Sequence, residues 1–336
     1  MIDLYRFIAA VMIMFCHLDL AGAGQYPTFM FVDFFFILSG YFTVSHFMKK
    51  KNSTSIEQRG REALSYTGKK FLPLLPHLLL AIPIVYLARS ATFILHNDWT
   101  AFFTSFKDMF AEILLLPTTF FESGGRLLGP IWYLSALLVI MPIFSYICQS
   151  KYRRPVGLIG LVYAYFFYVL QDSIANFDPV SSVLKCAACM FIGMFIFDVV
   201  SEFKKATIRK WVKIVLTIIE VICLGYAICA GLFWFTPLKM QVIAYIILLT
   251  ITLSEQSHSR KIDCKYFTLL GQVSMPLFIW HYAVGRIILH LVRGVSVNGC
   301  IALFFVGSFA VAFASHFIIE AFKKRGVTAR KIFLKV

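Results

Sequence analysis

Arg6 and His17 are the residues of this chain best placed to do chemistry. Both lie in the first apolar stretch, Ile2 to Leu20, where ionisable groups are costly and tend to mark functional sites. At about 100° and 1.5 Å per residue, the spacing makes roughly three turns plus 20°, so a helix would put both side chains on one face about 16 Å apart. That face offers a guanidinium able to bind an anion and an imidazole able to carry a proton. Desolvation disfavours the imidazolium, which keeps His17 able to accept a proton. Asp33, in the next apolar stretch, meets the same desolvation unless it pairs with Arg6 or hydrogen-bonds to His17.

The elements that hold these groups follow from composition. Of 336 residues, 60% are hydrophobic and 17% aromatic, with a mean hydropathy of +0.79, far from the soluble average. Continuous apolar runs recur, each long enough for a hydrocarbon core about 30 Å thick, and strand alternation is absent. The expected fold class is all-α: a single transmembrane domain over residues 1–336, built as a bundle of about ten spans. These should begin near Leu4, Thr28, Phe71, Leu127, Val156, Val183, Ile214, Leu238, Phe267 and Asn298.

Joints 48–70, 150–155, 200–213, 255–265 and 323–336 hold 24 of the 32 Lys and Arg residues. The positive-inside rule makes these joints cytoplasmic, so both termini lie inside and the number of crossings is even. The net charge of +15 then reflects topology and contact with anionic lipid, and no nucleic-acid partner is expected. The first stretch is long, holds Arg6 and His17 and lacks a small-residue cleavage pattern, so no cleavable signal is expected. The longest outer joint, Arg89 to Arg126, has aromatic stretches around Trp99 and Phe110 and is expected to lie on or dip into the membrane. Cys186 and Cys189 read as small core residues, and no metal site is expected.

The Arg6/His17 spacing followed by "FVDFFFILSGYF", Phe31 to Phe42, resembles the acyltransferase-3 family. "KKFLPLLP" (Lys69 to Pro76), "GPIWYLSALL" (Gly129 to Leu138), "LGQVSMPLFIWHYAV" (Leu270 to Val284) and "IIEAFKKR" (Ile318 to Arg325) resemble its later segments in order. The resemblance implies an integral-membrane O-acyltransferase of the cytoplasmic (inner) membrane. It would move an acyl group, commonly acetyl, from cytoplasmic acyl-CoA as co-substrate to a carbohydrate hydroxyl, the acceptor being an envelope or lipid-linked glycan.

Two departures stand out. Ser135 to Leu138 lacks the acidic "SVEEQ" continuation of many members, and no hydrolase-like domain follows the tenth span. The chain would then complete the transfer itself or hand the acyl group to a separate extracytoplasmic partner.

Acyl transfer to an alcohol needs a base and a group to hold the oxyanion. The expected general base is His17, with an acyl-histidine intermediate as the less economical route. Arg6 would bind a CoA phosphate or polarise the thioester carbonyl, or simply anchor the helix at the interface. Asp33 would orient one of the two, or serve as a structural polar contact. Lys69 and Lys70 would meet CoA phosphates, although topology explains them nearly as well. Substrate-side candidates are Trp132, His281, Ser39 and Glu320, each with a plainer alternative: the aromatic belt for Trp132, a satisfied intramembrane histidine for His281, helix packing for Ser39 and a helix-end ion pair for Glu320. His77, soon after Pro73 and Pro76, reads as a pocket wall beside a proline kink. The alternative is a glycan transporter or flippase, with buried charges lining its route, but the two halves show no inverted repeat.

Overall fold

The computed structural model describes residues 1–49, 55–116, 127–170, 179–233 and 237–333, with side chains to Lys324. Parts of three expected joints (50–54, 117–126 and the final segment) therefore lie outside the described residues. Among the described residues the fold is all-α, without strands. The helices are α1 (Ile2–Cys16), α2 (Phe31–Lys49), α3 (Ile56–Phe71), α4 (Leu75–Leu95), α5 (Trp99–Ile113) and α6 (Ile131–Cys148). They continue with α7 (Arg153–Leu170), α8 (Pro179–Phe203), α9 (Lys210–Phe233), α10 (Leu238–Ser254), α11 (Lys265–Leu291) and α12 (Val297–Phe333).

A helix stands at or near each expected start. Among the described residues, six are long and apolar enough to cross a membrane: Thr28–Lys49, Leu75–Leu95, Ile131–Cys148, Val180–Phe203, Lys210–Phe233 and Val297–Lys324; Leu238–Ser254 is apolar but shorter. The third start is displaced, because the chain turns between Phe71 and Leu75 around Pro73 and separates α3 from α4. The fourth begins at Ile131, directly after Pro130, whose fixed φ suits a helix start.

α1 is shorter than its apolar stretch. It ends at Cys16, and a 3₁₀ turn, Leu18–Ala21, closes on Gly22 in the left-handed region at φ +81°. His17 therefore sits at the joint between two helical segments. At the other end of α1, Tyr5 donates to Glu220 of α9 (2.9 Å), which also accepts from Thr252 (2.8 Å) and Ser259 (3.1 Å). This buried network ties α1, α9 and α10 and satisfies one oxygen of a fully buried carboxylate.

α2 and α8 cross where Gly40 meets Gly193. A Cβ on Gly40 would overlap the Met190 carbonyl, and one on Gly193 the Ile37 carbonyl. Backbones this close require small residues, the usual device when apolar side chains gain nothing by leaving lipid. Gly40→Ala should cost about 1–3 kcal/mol, because the obstacle is backbone that cannot swing aside. Thermal unfolding of the detergent-solubilised protein measures it; an unchanged midpoint would mean that the crossing has slack.

α5 is turned inside out relative to a soluble helix. Ser105, Asp108 and Glu112 are buried while Trp99, Phe103, Phe106 and Phe110 are exposed. α5 packs against α4 with these aromatic residues on the exposed face.

Candidate functional site

His17 heads a cluster of rings. Its backbone N–H donates to Met14 O (3.0 Å) and its carbonyl accepts from Leu20 N (3.2 Å), which fixes the Cα at the helix joint. The imidazole stacks on His281 with centroids 5.4 Å apart and planes at 29°. Tyr282 meets it edge-on at 5.0 Å and 89°. The Tyr282 hydroxyl accepts from Arg286 Nη2 at 2.7 Å. His281 is fully buried; its Nδ1 lies 3.0 Å from the Leu277 carbonyl. A carbonyl only accepts, so this contact places the proton on Nδ1 and leaves the Nε2 lone pair bare, with no partner among the described residues. The His17 ring likewise has stacking contacts and, among the described residues, no hydrogen bond. It borders a pocket of about 40 Å³, also lined by Cys16, Phe29, Val32, Pro130, Trp132 and Phe278, with room for a hydroxyl or a few waters.

Arg6 faces a larger chamber of about 370 Å³, together with Ser39, Tyr66, Lys70, Tyr133 and the Phe71–Leu74 turn. Arg6 Nη1 is 3.0 Å from Asp3 Oδ1, and the side chain is 30% exposed, so the guanidinium keeps donors for another anion. The Lys70 ammonium lies over the Tyr66 ring at 5.3 Å. Ser39 Oγ donates to Phe35 O (2.8 Å) and is also hydrogen-bonded to the Tyr133 hydroxyl. A second chamber of about 590 Å³ shares the Phe42 wall and is lined by Lys49, Lys204 and Arg260, with Glu255 and Asp263. Met1, whose ammonium pairs with Asp263 at 2.8 Å, shares it, so the N-terminus and three basic joints meet at one end of the bundle.

Sequence reasoning placed Arg6 and His17 on one face. Both do border the groove between α1, α2, α6 and α11, but in separate cavities. Rings stand between these. Phe35 and Tyr133 line the Arg6 chamber, and both contact Phe278, which lines the His17 pocket, at 6.2 and 5.3 Å.

Asp33 pairs with neither expected partner. Its Oδ1 is 2.9 Å from Lys185 Nζ of α8, and its Oδ2 accepts from the Tyr168 hydroxyl at 2.9 Å. That hydroxyl has one proton, so the Cys189 thiol, 2.9 Å away, donates to it. The reason is placement: Asp33 points from α2 toward α7 and α8, away from α1. It nevertheless supports the site, since Lys185 also lies over Phe29, 5.8 Å away in the wall of the His17 pocket.

Lys70 lines the Arg6 chamber, whereas Lys69 is exposed outside it. Trp132 lines the His17 pocket, and His281 stacks on His17 itself. Glu320 is half-buried and pairs with Lys323 at 2.8 Å, outside the three cavities. His77 lines none of the three cavities described: its Nδ1 accepts from Trp280 Nε1 at 3.3 Å, and the proline-containing turn before it borders the Arg6 chamber.

Lys185, Tyr282, Arg286 and Glu112 had not been singled out. Lys185 and Arg286 were open to the rule that drew notice to Arg6, since each is a cation inside an apolar run.

Helices long enough for a bilayer thus surround a stacked pair of imidazoles and, in the same groove, a cation-lined chamber. The family described as an acyltransferase domain matches residues 1–319, and the chain belongs to this acyltransferase-3 family. It is a membrane acyltransferase. No curated protein and no solved structure matches it.

Proposed function

We propose that this enzyme moves an acyl group, acetyl first among candidates, from cytoplasmic acyl-CoA to a hydroxyl of an envelope, capsular or exopolysaccharide glycan. In this reading ten helices cross the cytoplasmic membrane within one domain, with both termini in the cytoplasm. The meeting of the N-terminus, Lys49, Lys204 and Arg260 around one chamber agrees with the positive-inside rule.

The observation that carries the reading is the placement, in one groove, of an imidazole with no hydrogen bond among the described residues and a chamber holding Arg6 and Lys70. About 370 Å³ falls within the usual range for a ligand site. Arg6 and Lys70 meet the donor's anionic groups or its thioester carbonyl. The acceptor hydroxyl enters the His17 pocket, where Trp132 offers a face for a sugar ring. His17 takes the hydroxyl proton while the oxygen attacks the thioester carbon. A C–O ester bond forms, the C–S bond breaks, and the proton passes to the departing coenzyme thiolate. His281 backs the His17 ring by stacking and fixes its plane.

Membranes containing the protein, given coenzyme A loaded with a labelled acetyl group, should release free thiol and place the label in carbohydrate. Label retained in the donor, or found only in water-soluble acetate, would refute the transfer. Lys70→Ala should raise the apparent KM for the donor about 2- to 5-fold with kcat unchanged, because a solvent-reached charge contact is worth roughly 1 kcal/mol or less. A fall in protein yield at unchanged KM would make Lys70 a topological anchor instead.

A further inference from the structure

Resting on the reading of His17 as the base, we propose that Glu112 of α5 is a positioning residue, holding the histidine's surroundings in place from the outer joint. Its carboxylate is fully buried, and its two oxygens accept separate backbone N–H groups, Leu127 N at 2.8 Å and Leu128 N at 2.9 Å. Charge-assisted bonds to adjacent amides grip the chain at two points and fix both its height and its rotation.

The gripped segment runs straight into the site. The next residue, Gly129, packs face-on against Tyr282: a Cβ there would stand 2.5 Å from the ring's Cε2. Tyr282 is held from its other side by Arg286 and meets the His17 ring edge-on. The residue after that, Pro130, lines the His17 pocket with Trp132. A shift at Leu127 and Leu128 thus reaches the imidazole by two routes, one through the Gly129–Tyr282 contact and one through the pocket wall. Neither has slack, since Leu127, Leu128 and Ile131 are buried to within 1%.

The orientation of α5 gives the arrangement its purpose. Ser105, Asp108 and Glu112 turn inward although the helix has an aromatic face that in water would take that place. Arg89 of α4 lies within electrostatic reach of Asp108, Glu112 and Arg286, so the inward charges of α4, α5 and α11 form a balanced group above the site. A helix that only anchored the joint in lipid would need no buried carboxylate.

The test uses the full-length protein in detergent or membranes, with Glu112→Gln, Glu112→Ala and Gly129→Ala. The expected result is a fall in kcat on the order of 10- to 100-fold with the donor KM unchanged, the signature of a small misplacement at the reacting centre. Glu112→Gln, which keeps the shape and one acceptor oxygen, should lose less than Glu112→Ala. Independently of turnover, carbethoxylation of His17 by diethyl pyrocarbonate, followed by mass spectrometry of its peptide, should proceed at a different rate in Glu112→Ala and Gly129→Ala than in wild type.

A Glu112→Ala protein with wild-type kcat and wild-type His17 reactivity would overturn the proposal, even if its melting temperature fell. Should Glu112→Ala not accumulate, Glu112→Gln carries the same measurements. Should the wild-type protein transfer no acyl group, the reactivity of His17 alone decides. Altered reactivity would then sustain the link while the acyl-transfer reading falls.

Discussion

Membranes containing His17→Ala should hold as much protein as wild type, with an unchanged melting temperature, and should transfer acyl groups about 10²- to 10⁴-fold more slowly. That range is what a positioned general base supplies. Stability is spared because the His17 ring makes no hydrogen bond among the described residues and lies at the end of α1, beyond its regular turns, so truncation leaves no orphaned partner. The rate is not spared, since His281, although its Nε2 lone pair is bare, stacks behind the His17 ring and does not line the small pocket. Labelled-donor turnover per mole of inserted protein is the measurement. Wild-type turnover in this variant would remove His17 from the mechanism.

The second large effect is on stability. Lys185→Met should lower it by about 3–5 kcal/mol, because the change strands the Asp33 carboxylate in a fully buried position with only the Tyr168 hydroxyl to satisfy it. Asp33→Asn alone should be comparably harmful, leaving a buried ammonium without its counter-ion. The double variant Asp33→Asn, Lys185→Met removes both charges and should recover most of the loss. Unfolding midpoints of the four proteins in one detergent form a double-mutant cycle. If the single changes are additive, the two groups do not interact energetically. Acyl transfer by the stable double variant would add that Asp33 orients α2 and takes no part in the chemistry.

How much of this was visible in the chain depends on the range of the signal. Run length and apolarity are local, so helices appear at or near all ten expected starts. The helical spacing predicted Arg6 and His17 on one face of one helix; His17 instead lies just past the end of α1, and the two residues line separate cavities. What no local pattern encodes is pairing between distant helices: Lys185 reaches Asp33 from 152 positions away, and Glu112 clamps a segment of the next helix's approach. The early end of α1 was hidden too, since "MFCHLDLAG" remains apolar across the break and only Gly22, at positive φ, marks it. For α5 the two faces were legible as a periodicity, Trp99, Phe103, Phe106 and Phe110 on one side, Ser105, Asp108 and Glu112 on the other. Which of them turns inward depends on the solvent, and in lipid the usual assignment reverses.

The contact of Phe35 and Tyr133 with Phe278 has an electrical consequence. A cavity lined by Arg6 and Lys70 and the small His17 pocket in the same groove would, if joined by a thread of water across a bilayer, short-circuit the membrane potential. Three aromatic rings interrupt that thread, since an apolar constriction of this kind sheds water readily. The resting protein can therefore hold groups that bind anions and shuttle protons without becoming a leak for either.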